Sequence, residues 1–185
     1  DFQKVLELKS DHADAYFEMG YAYQQQQEYE QAIRAYRQVL QINPDDAVVH
    51  HNLARCYIRQ GNREAAERER KIAQQLQEYA DAIAHAKAYI TQYPDKAEGY
   101  AYLASLYQQR GKWEDAIQQY RLALRVDTRF MPAYSNLAEL YTQRRQFDLA
   151  VKVYQEALRQ SPENVQIRVA LSLLFLLSGG ANSSS

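Results

Sequence analysis

The stretch AEGYAYLASLYQQRGKWEDAIQQYRLALRVDTR, residues 97–129, contains two helical patterns on either side of Gly111. Its apolar residues recur at spacings of three and four, which places them on one face of each helix. They are Tyr100, Leu103, Ala104 and Tyr107 in the first pattern, and Trp113, Ala116, Ile117, Tyr120 and Ala123 in the second. A glycine at this point supplies the left-handed backbone that commonly ends a helix. The stretch therefore predicts an antiparallel helix pair, in which Ala104 and Ala116 allow a close approach.

The same pattern recurs along the chain at intervals of 34 residues, with one longer interval of 50. The small residue of the first helix recurs as Gly20, Ala54, Ala104, Ala138 and Ser172. The small residue of the second helix recurs as Ala32, Ala66, Ala116 and Ala150, and prolines that stop helices follow at Pro44, Pro94 and Pro162. Several positions keep the same phase, so the period is a property of the whole chain and indicates a repeat protein.

A 34-residue period of two helices, with Tyr-x-x-Leu-Ala-x-x-Tyr, a central Gly, Ala-x-x-x-Tyr and a closing Pro, resembles the tetratricopeptide repeat (TPR) family. The resemblance implies an all-α fold, a right-handed superhelical solenoid of antiparallel helix pairs. It also implies that the first helices line a concave groove that binds peptides of other proteins. We expect one solenoid over 1–177, with the end of an earlier repeat at 1–12, repeats at 13–46, 47–80, 97–130 and 131–164, a terminal helix at 165–177 and a flexible tail at 178–185.

The segment between Gly61 and Pro94 departs from the period, because it holds one helix too many. Residues 78–94 look like a second helix without a first helix before it. Three explanations stay open: 62–92 is one long helix, an extra unpaired helix is inserted, or residues are missing between Gln77 and Glu78. The apolar residues favour one long helix, because their spacing of four and three continues across Gln77 and Glu78.

Composition excludes several classes of function. The formal net charge of -1 gives no support for binding to nucleic acid. The apolar stretch 169–177 is far shorter than the roughly 20 residues that cross a bilayer, so membrane insertion is not expected. The sequence has no phosphate-binding glycine loop, no His-Glu-x-x-His motif and no cysteine cluster. We therefore expect no metal, no cofactor and no catalytic residues, and we expect Cys56 to be a buried, inert thiol.

The residues predicted to line the groove lie on the first helices, opposite the packing face. They are Phe17 and Tyr21 in the first repeat, His51, Asn52, Arg55 and Arg59 in the second, Tyr102 in the third, and Ser135, Asn136 and Glu139 in the fourth. Gln24 and Gln25 lie on the same face of the first repeat. In many TPR proteins an asparagine at the position of Asn52 and Asn136 binds the backbone of the peptide. An amide suits that role because it both donates and accepts hydrogen bonds.

Arg55 and Arg59 are one helical turn apart, with His51 one turn before them. Two guanidinium groups at this spacing could hold a carboxylate, which predicts an acidic peptide partner. The open alternative is a basic stripe that only contacts solvent. Phe17 and Tyr21 would add an aromatic wall, and His50, which replaces a packing tyrosine, is expected to be a hydrogen-bonded core residue.

The terminal helix is apolar on nearly all sides, whereas the last helix of a repeat array normally has a polar outer face. Leu173, Phe175 and Leu176 are therefore predicted to contact further repeats or another copy of the chain, giving a homo-oligomer. The sequence as a whole predicts a protein–protein interaction scaffold that binds partner peptides and supports complex assembly. The alternative is a regulatory or substrate-docking arm of a larger enzyme, such as a glycosyltransferase, or of a secretion machine.

Overall fold

In the computed structural model, residues 2–182 are described, with side chains described for residues 12–176. The described residues form nine α-helices and no strand. The helices are α1 (Phe2–Gln25), α2 (Tyr29–Ile42), α3 (Ala47–Arg59), α4 (Arg63–Gln92), α5 (Ala97–Gln109), α6 (Trp113–Val126), α7 (Met131–Gln143), α8 (Phe147–Gln160) and α9 (Val165–Asn182). The all-α prediction is confirmed.

Four tight turns join the two helices of each pair, and all four have the same backbone geometry. In each, one residue has a positive φ angle, and it is Gln27, Gly61, Gly111 or Arg145. The amide of this residue donates to the carbonyl three residues earlier, and the next amide donates to the carbonyl five residues earlier. This pair of bonds is a Schellman motif, which satisfies the last carbonyls of the first helix and reverses the chain.

The chain divides into two compact units at a point within α4. Unit 1, Asp1–Asp81, contains α1, α2, α3 and the N-terminal part of α4, and unit 2, Ala82–Ser185, contains the rest of α4 and α5 to α9. Each unit has its own core. The recurring alanines Ala32, Ala66, Ala116 and Ala150 are at most 4% exposed, so small residues allow the helices to approach closely in both units.

A hydrogen bond at the start of several first helices recurs through chemically different side chains. The hydroxyls of Tyr100 and Tyr134 donate to the carbonyls six residues earlier, at 3.3 and 3.2 Å. At the equivalent position Arg168 donates to the carbonyl of Pro162 at 2.5 Å. His50 Nε2 lies 3.0 Å from the carbonyl of Pro44, which can only accept, so Nε2 is the donor of this hydrogen bond. This bond holds the preceding loop against the helix in each case.

The segment 62–92 contains one unbroken helix, α4, of 30 residues. Of the three alternatives, the structure shows the single long helix. No glycine or proline interrupts the segment, and it buries apolar residues in both units: Ala66 and Leu76 in unit 1 and Ala86 in unit 2. Each half thus has the packing face of a second helix.

The structure differs from the sequence prediction at both ends of the chain. Helix α1 continues without a break across residue 12, where the sequence prediction ends an earlier repeat. No proline or glycine lies there to stop the helix. Helix α9 continues to Asn182, beyond the predicted end at 177. Of the predicted tail 178–185, residues 183–185 lie outside the described residues.

Candidate peptide-binding clefts

The two arginines singled out from the sequence lie together in one cleft of unit 1. Arg55 and Arg59 are exposed and, at a spacing of four, lie on the same face of α3. They line a cleft of about 560 Å³, which we call the basic cleft. Its lining residues are Gln24, Gln25, Gln27, Tyr29, Arg55, Ile58 and Arg59.

Partly buried hydrogen bonds hold one wall of the basic cleft. The Tyr36 hydroxyl donates to Gln24 Oε1 at 2.9 Å, and the Cys56 thiol lies 3.7 Å from the same oxygen. Burial raises the pKa of Tyr36 to about 12, with the positive charge of Arg55 acting in the opposite direction. With its oxygen held by Tyr36 and Cys56, the Gln24 amide keeps two N–H donors for other partners.

The basic cleft carries positive charge that nearby acidic groups do not neutralise. Among the ion pairs of the described side chains, none involves Arg55 or Arg59. Some other arginines do form ion pairs, as Arg68 does with Glu64 and Arg144 with Glu114. The guanidinium groups, together with the glutamine amides, make the cleft rich in hydrogen-bond donors, which suits a ligand with carboxylates or carbonyl oxygens.

The other residues predicted for the groove of unit 1 lie in different surroundings. Tyr21 is 47% exposed and precedes Gln24 and Gln25 by about one turn of α1. Phe17 is half-buried, with its ring centroid 5.8 Å from that of Tyr36, so it packs against the core. Asn52 is only 7% exposed, which differs from the solvent-facing position predicted from the sequence.

Asn52 is buried although it shares a face of α3 with the two arginines. It precedes Arg55 and Arg59 by three and seven residues, so neighbouring helices cover this part of the face and leave the two arginines exposed. His51 is exposed but lies in a separate cleft of about 390 Å³, between α3 and α4 within unit 1. The predicted stripe of His51, Arg55 and Arg59 is therefore divided between two clefts, and only the two arginines line the basic cleft.

Unit 2 places two of its predicted groove residues in one cleft between α7 and α9, with a volume of about 410 Å³. Ser135 and Glu139 line this α7–α9 cleft together with Leu173 of α9. Asn136 is half-buried, and the Tyr120 hydroxyl donates to Gln108 Oε1 at 2.9 Å. Burial raises the pKa of Tyr120 to about 12, and the Asn136 side chain acts in the opposite direction.

Tyr102, the predicted groove residue of α5, lines a further cleft of unit 2 between α4 and α5, with a volume of about 300 Å³. The lining residues of this α4–α5 cleft are His85, Ala86, Tyr89, Glu98, Gly99 and Tyr102. The three residues predicted for oligomer contacts, Leu173, Phe175 and Leu176, are 55%, 52% and 74% exposed. They form an exposed apolar surface on α9.

His50 and Cys56, whose side chains are potentially reactive, are both buried in the core. His50 is 7% exposed, with Nδ1 2.6 Å from the Glu69 carboxylate. Cys56 is fully buried, and burial raises the pKa of its thiol. Within the part of the chain that the structure describes, no group of three or more His, Cys, Asp or Glu side chains is arranged to hold a metal ion. None of the helices described there combines the length and the apolarity needed to cross a membrane.

Three residues of the basic cleft were not found from the sequence: Gln27, Tyr29 and Ile58. The exposure of Ile58 could have been predicted from the repeat pattern. The equivalent residues Gln24 and Gln108 each accept a hydrogen bond from a buried tyrosine, Tyr36 and Tyr120. The tyrosine position is Arg70 in the repeat of Ile58, so the glutamine has no hydroxyl to bind there. Ile58 is instead 55% exposed and gives the basic cleft an apolar side.

Comparison with known protein families agrees with the helix-pair pattern. Family models described as tetratricopeptide repeat or TPR repeat match residues 2–34, 24–69, 104–143 and 133–166. The chain belongs to the tetratricopeptide repeat family. Proteins of this fold are in general scaffolds for protein–protein interaction. A comparison with curated protein sequences gives no match.

Solved structures with similar folds include a MamA protein, with 21% identity, a TM-score of 0.47, and coverage of 92% of this chain and 84% of that chain. YrrB, a TPR protein with an unusual peptide-binding site, has 14% identity, a TM-score of 0.44, and coverage of 91% and 96%. Yeast Tom70 has 18% identity, a TM-score of 0.44, and coverage of 98% and 36%. These identities and TM-scores are too low for any inference about function.

Proposed function

We propose that this TPR chain is a scaffold for complex assembly that binds an acidic peptide segment of a partner protein in the basic cleft of unit 1. The observation that carries the proposal is the pair Arg55 and Arg59, exposed, one turn apart and in one cleft, without a carboxylate partner among the described side chains. Such a pair can bind acidic side chains of a peptide, because each guanidinium offers a planar set of donors that matches a carboxylate.

The rest of the cleft suits an extended peptide better than a small anion. The side-chain amides of Gln24, Gln25 and Gln27 can bind backbone carbonyls and N–H groups along the peptide. Ile58 and Tyr29 offer apolar contact area, and exposed Tyr21 lies about one turn from Gln24. The proposed ligand is therefore a segment with two or more Asp or Glu residues and at least one apolar side chain.

The test is a fluorescence-anisotropy titration of labelled Asp- and Glu-rich peptides against the parent chain and the double variant Arg55→Ala/Arg59→Ala. Charge-assisted hydrogen bonds contribute about 1.5–3 kcal/mol each when well formed. At an exposed cleft we expect the double variant to bind about 10- to 100-fold more weakly. Binding by the parent should also weaken as salt is raised, because exposed charges are screened.

A matched control is the double variant Arg125→Ala/Arg129→Ala, which changes net charge by the same amount at exposed residues of unit 2. It should bind as the parent does. Peptides with Asn and Gln in place of Asp and Glu should bind weakly to all three proteins. Equal affinity of the parent and the Arg55/Arg59 variant for acidic peptides would remove the basic cleft from the mechanism.

A further inference from the structure

The α4–α5 cleft of unit 2 is a surface against which other repeats pack a first helix. Its residues Ala86, Glu98 and Tyr102 are each 68 residues, or two periods, before Tyr154, Gln166 and Ala170, which line the α7–α9 cleft. In the α7–α9 cleft the opposite wall is a first helix, α7, which contributes Ser135, Glu139 and Thr142. The α4–α5 cleft has no such wall among its lining residues.

The sequence explains the difference between the two clefts. The second half of α4 has the pattern of a second helix, but no first-helix pattern lies between Gly61 and this half. The α4–α5 cleft therefore has the surface that packs against a first helix in other repeats, but this repeat has no first helix to pack there. Two of its aromatic side chains, Tyr89 and Tyr102, are 42% and 51% exposed.

The floor of the α4–α5 cleft has small residues, which permit a helix to approach closely. Ala86 is 2% exposed, and Gly99 has no side chain. A Cβ atom at Gly99 would lie 2.8 Å from the ring of Tyr89, so glycine is needed for α5 to pack on α4. Small residues between exposed aromatic rings form a groove that fits an apolar ridge on another helix.

Helix α9 has such a ridge. It is a first helix, and it packs into unit 2 through Ile167 and Leu174, which are 2% and 3% exposed. On its other side Val169, Leu173 and Leu176 are 52%, 55% and 74% exposed. Their spacings of four and three place them on one face.

Comparison with α7 shows which neighbour would normally cover α9. Ala138 and Tyr141 of α7 are 0% and 4% exposed, because the second helix α8 lies over them. The equivalent residues of α9 are Ser172, which is exposed, and Phe175, which is 52% exposed. Within the described residues no second helix covers α9. The residues on the exposed side of α9 are therefore equivalent to those through which other first helices contact their own second helix and the next first helix.

We propose that α9 of one copy docks in the α4–α5 cleft of a second copy and acts there as the first helix that this cleft lacks. The exposed apolar face of α9 meets Ala86, Tyr89 and Tyr102, and Ser172 is small enough for the close approach seen at the other helix pairs. The two surfaces differ, so the contact is head-to-tail and can continue from copy to copy. It uses none of the residues of the basic cleft and does not depend on the peptide proposal.

The test is light scattering coupled to size exclusion over a range of protein concentrations. We expect the parent to exceed the monomer mass of 21.5 kDa as concentration rises. Leu173→Glu puts a charge on the docking helix, and Tyr102→Glu puts one in the cleft that receives it. Each single variant should remain a monomer. An equimolar mixture of the two should form a dimer, because each variant retains the surface that the other has lost.

A matched control is Leu149→Glu, which changes an exposed leucine of α8 outside both surfaces and should assemble as the parent does. Far-UV circular dichroism should show that all variants keep the helix content of the parent. A parent that stays monomeric at every concentration overturns the proposal. So does assembly by Tyr102→Glu alone, which would indicate that α9 packs against α9. A mixture that stays monomeric would also overturn it.

Discussion

The four turns with a positive φ angle form a natural set of matched sites, two with glycine and two without. The φ angles are 63° at Gln27, 77° at Gly61, 67° at Gly111 and 59° at Arg145. A residue with a Cβ atom pays about 1–2 kcal/mol in this conformation, whereas glycine adopts it without that penalty. Glycine also makes the unfolded chain more flexible, which offsets about 0.5–1 kcal/mol of the gain.

We therefore expect Arg145→Gly to stabilise unit 2 by about 0.5–1 kcal/mol, and Gly111→Ala to destabilise it by about 1 kcal/mol. At Gly111 an added Cβ would meet the Trp113 ring at 3.7 Å, an ordinary contact, so the effect comes from the backbone. Gly61→Ala should destabilise by a similar amount, since no atom lies within 4 Å of the added Cβ.

The assay is urea unfolding followed by the fluorescence of Trp113, the only tryptophan, which lies in unit 2 beside the turn at Gly111. Arg145→Ala is the control: it removes the long exposed side chain but keeps the backbone penalty, so its midpoint should match the parent. An Arg145→Gly variant no more stable than the parent, or a Gly111→Ala variant unchanged from it, would show that these turns do not carry the expected strain.

Three further predictions concern the cores of the units. Gly20→Ala should destabilise unit 1 by about 1–3 kcal/mol in urea unfolding, because the added Cβ would lie 2.8 Å from the ring of fully buried Tyr36; a stability equal to the parent's would contradict this close packing. Folding raises the pKa of Tyr36 and of Tyr120 from 10.0 to about 12, so both favour the folded state below pH 10 and lose that contribution as pH rises to 12. The loss is at most about 3 kcal/mol for each tyrosine, at about 1.4 kcal/mol per pKa unit, and unfolding curves of Tyr120→Phe should show a smaller loss in unit 2 than the parent. Cys56 should react with a thiol reagent about tenfold or more slowly in the native chain than in urea, because it is buried and burial raises its pKa, and equal rates would show that the site opens readily.

Much of the fold could be predicted because its determinants are local and repeated. The turn at Gly111, the close-packed Ala104 and Ala116, and the continuous helix over 62–92 all follow from spacing and from the presence or absence of glycine and proline. Helix ends were predicted less well at α1 and α9. There no proline marks the boundary, and the periodicity of the apolar residues does not show where a helix begins or ends.

The candidate sites could be predicted only in part, because a cleft depends on neighbouring helices as well as on one helical face. The exposure of Arg55 and Arg59 follows from the periodicity of α3 alone. The burial of Asn52 and the separation of His51 from the two arginines depend on how closely α1 and α4 approach α3. Periodicity does not give those distances, so the sequence grouped residues that lie in different clefts.

The repeat itself separates residues that maintain the fold from residues that are available for binding. At the start of the first helix the side chain changes among Tyr100, His50 and Arg168, yet each keeps a donor for the same backbone carbonyl. The physical need is one N–H or O–H group at a fixed place, and any side chain that supplies it is acceptable. Chemical variation at this position is therefore explained by the fold. The replacement of tyrosine by histidine at His50 looks like a functional change in the sequence, but it preserves the same hydrogen bond.

The position five residues further along has no such requirement. It is Tyr21, Arg55, Ser105, Glu139 and Leu173 in successive first helices, and so changes from aromatic to basic, small, acidic and apolar. Three of these residues, Arg55, Glu139 and Leu173, line clefts. Ser105 and Glu139 make hydrogen bonds only within their own helices, and no partner is common to all five residues. The charge and size of the side chain at this position can therefore differ between repeats and determine what the surface binds. By this reasoning the two units present different surfaces, and the acidic ligand proposed for Arg55 should be repelled by Glu139 in unit 2.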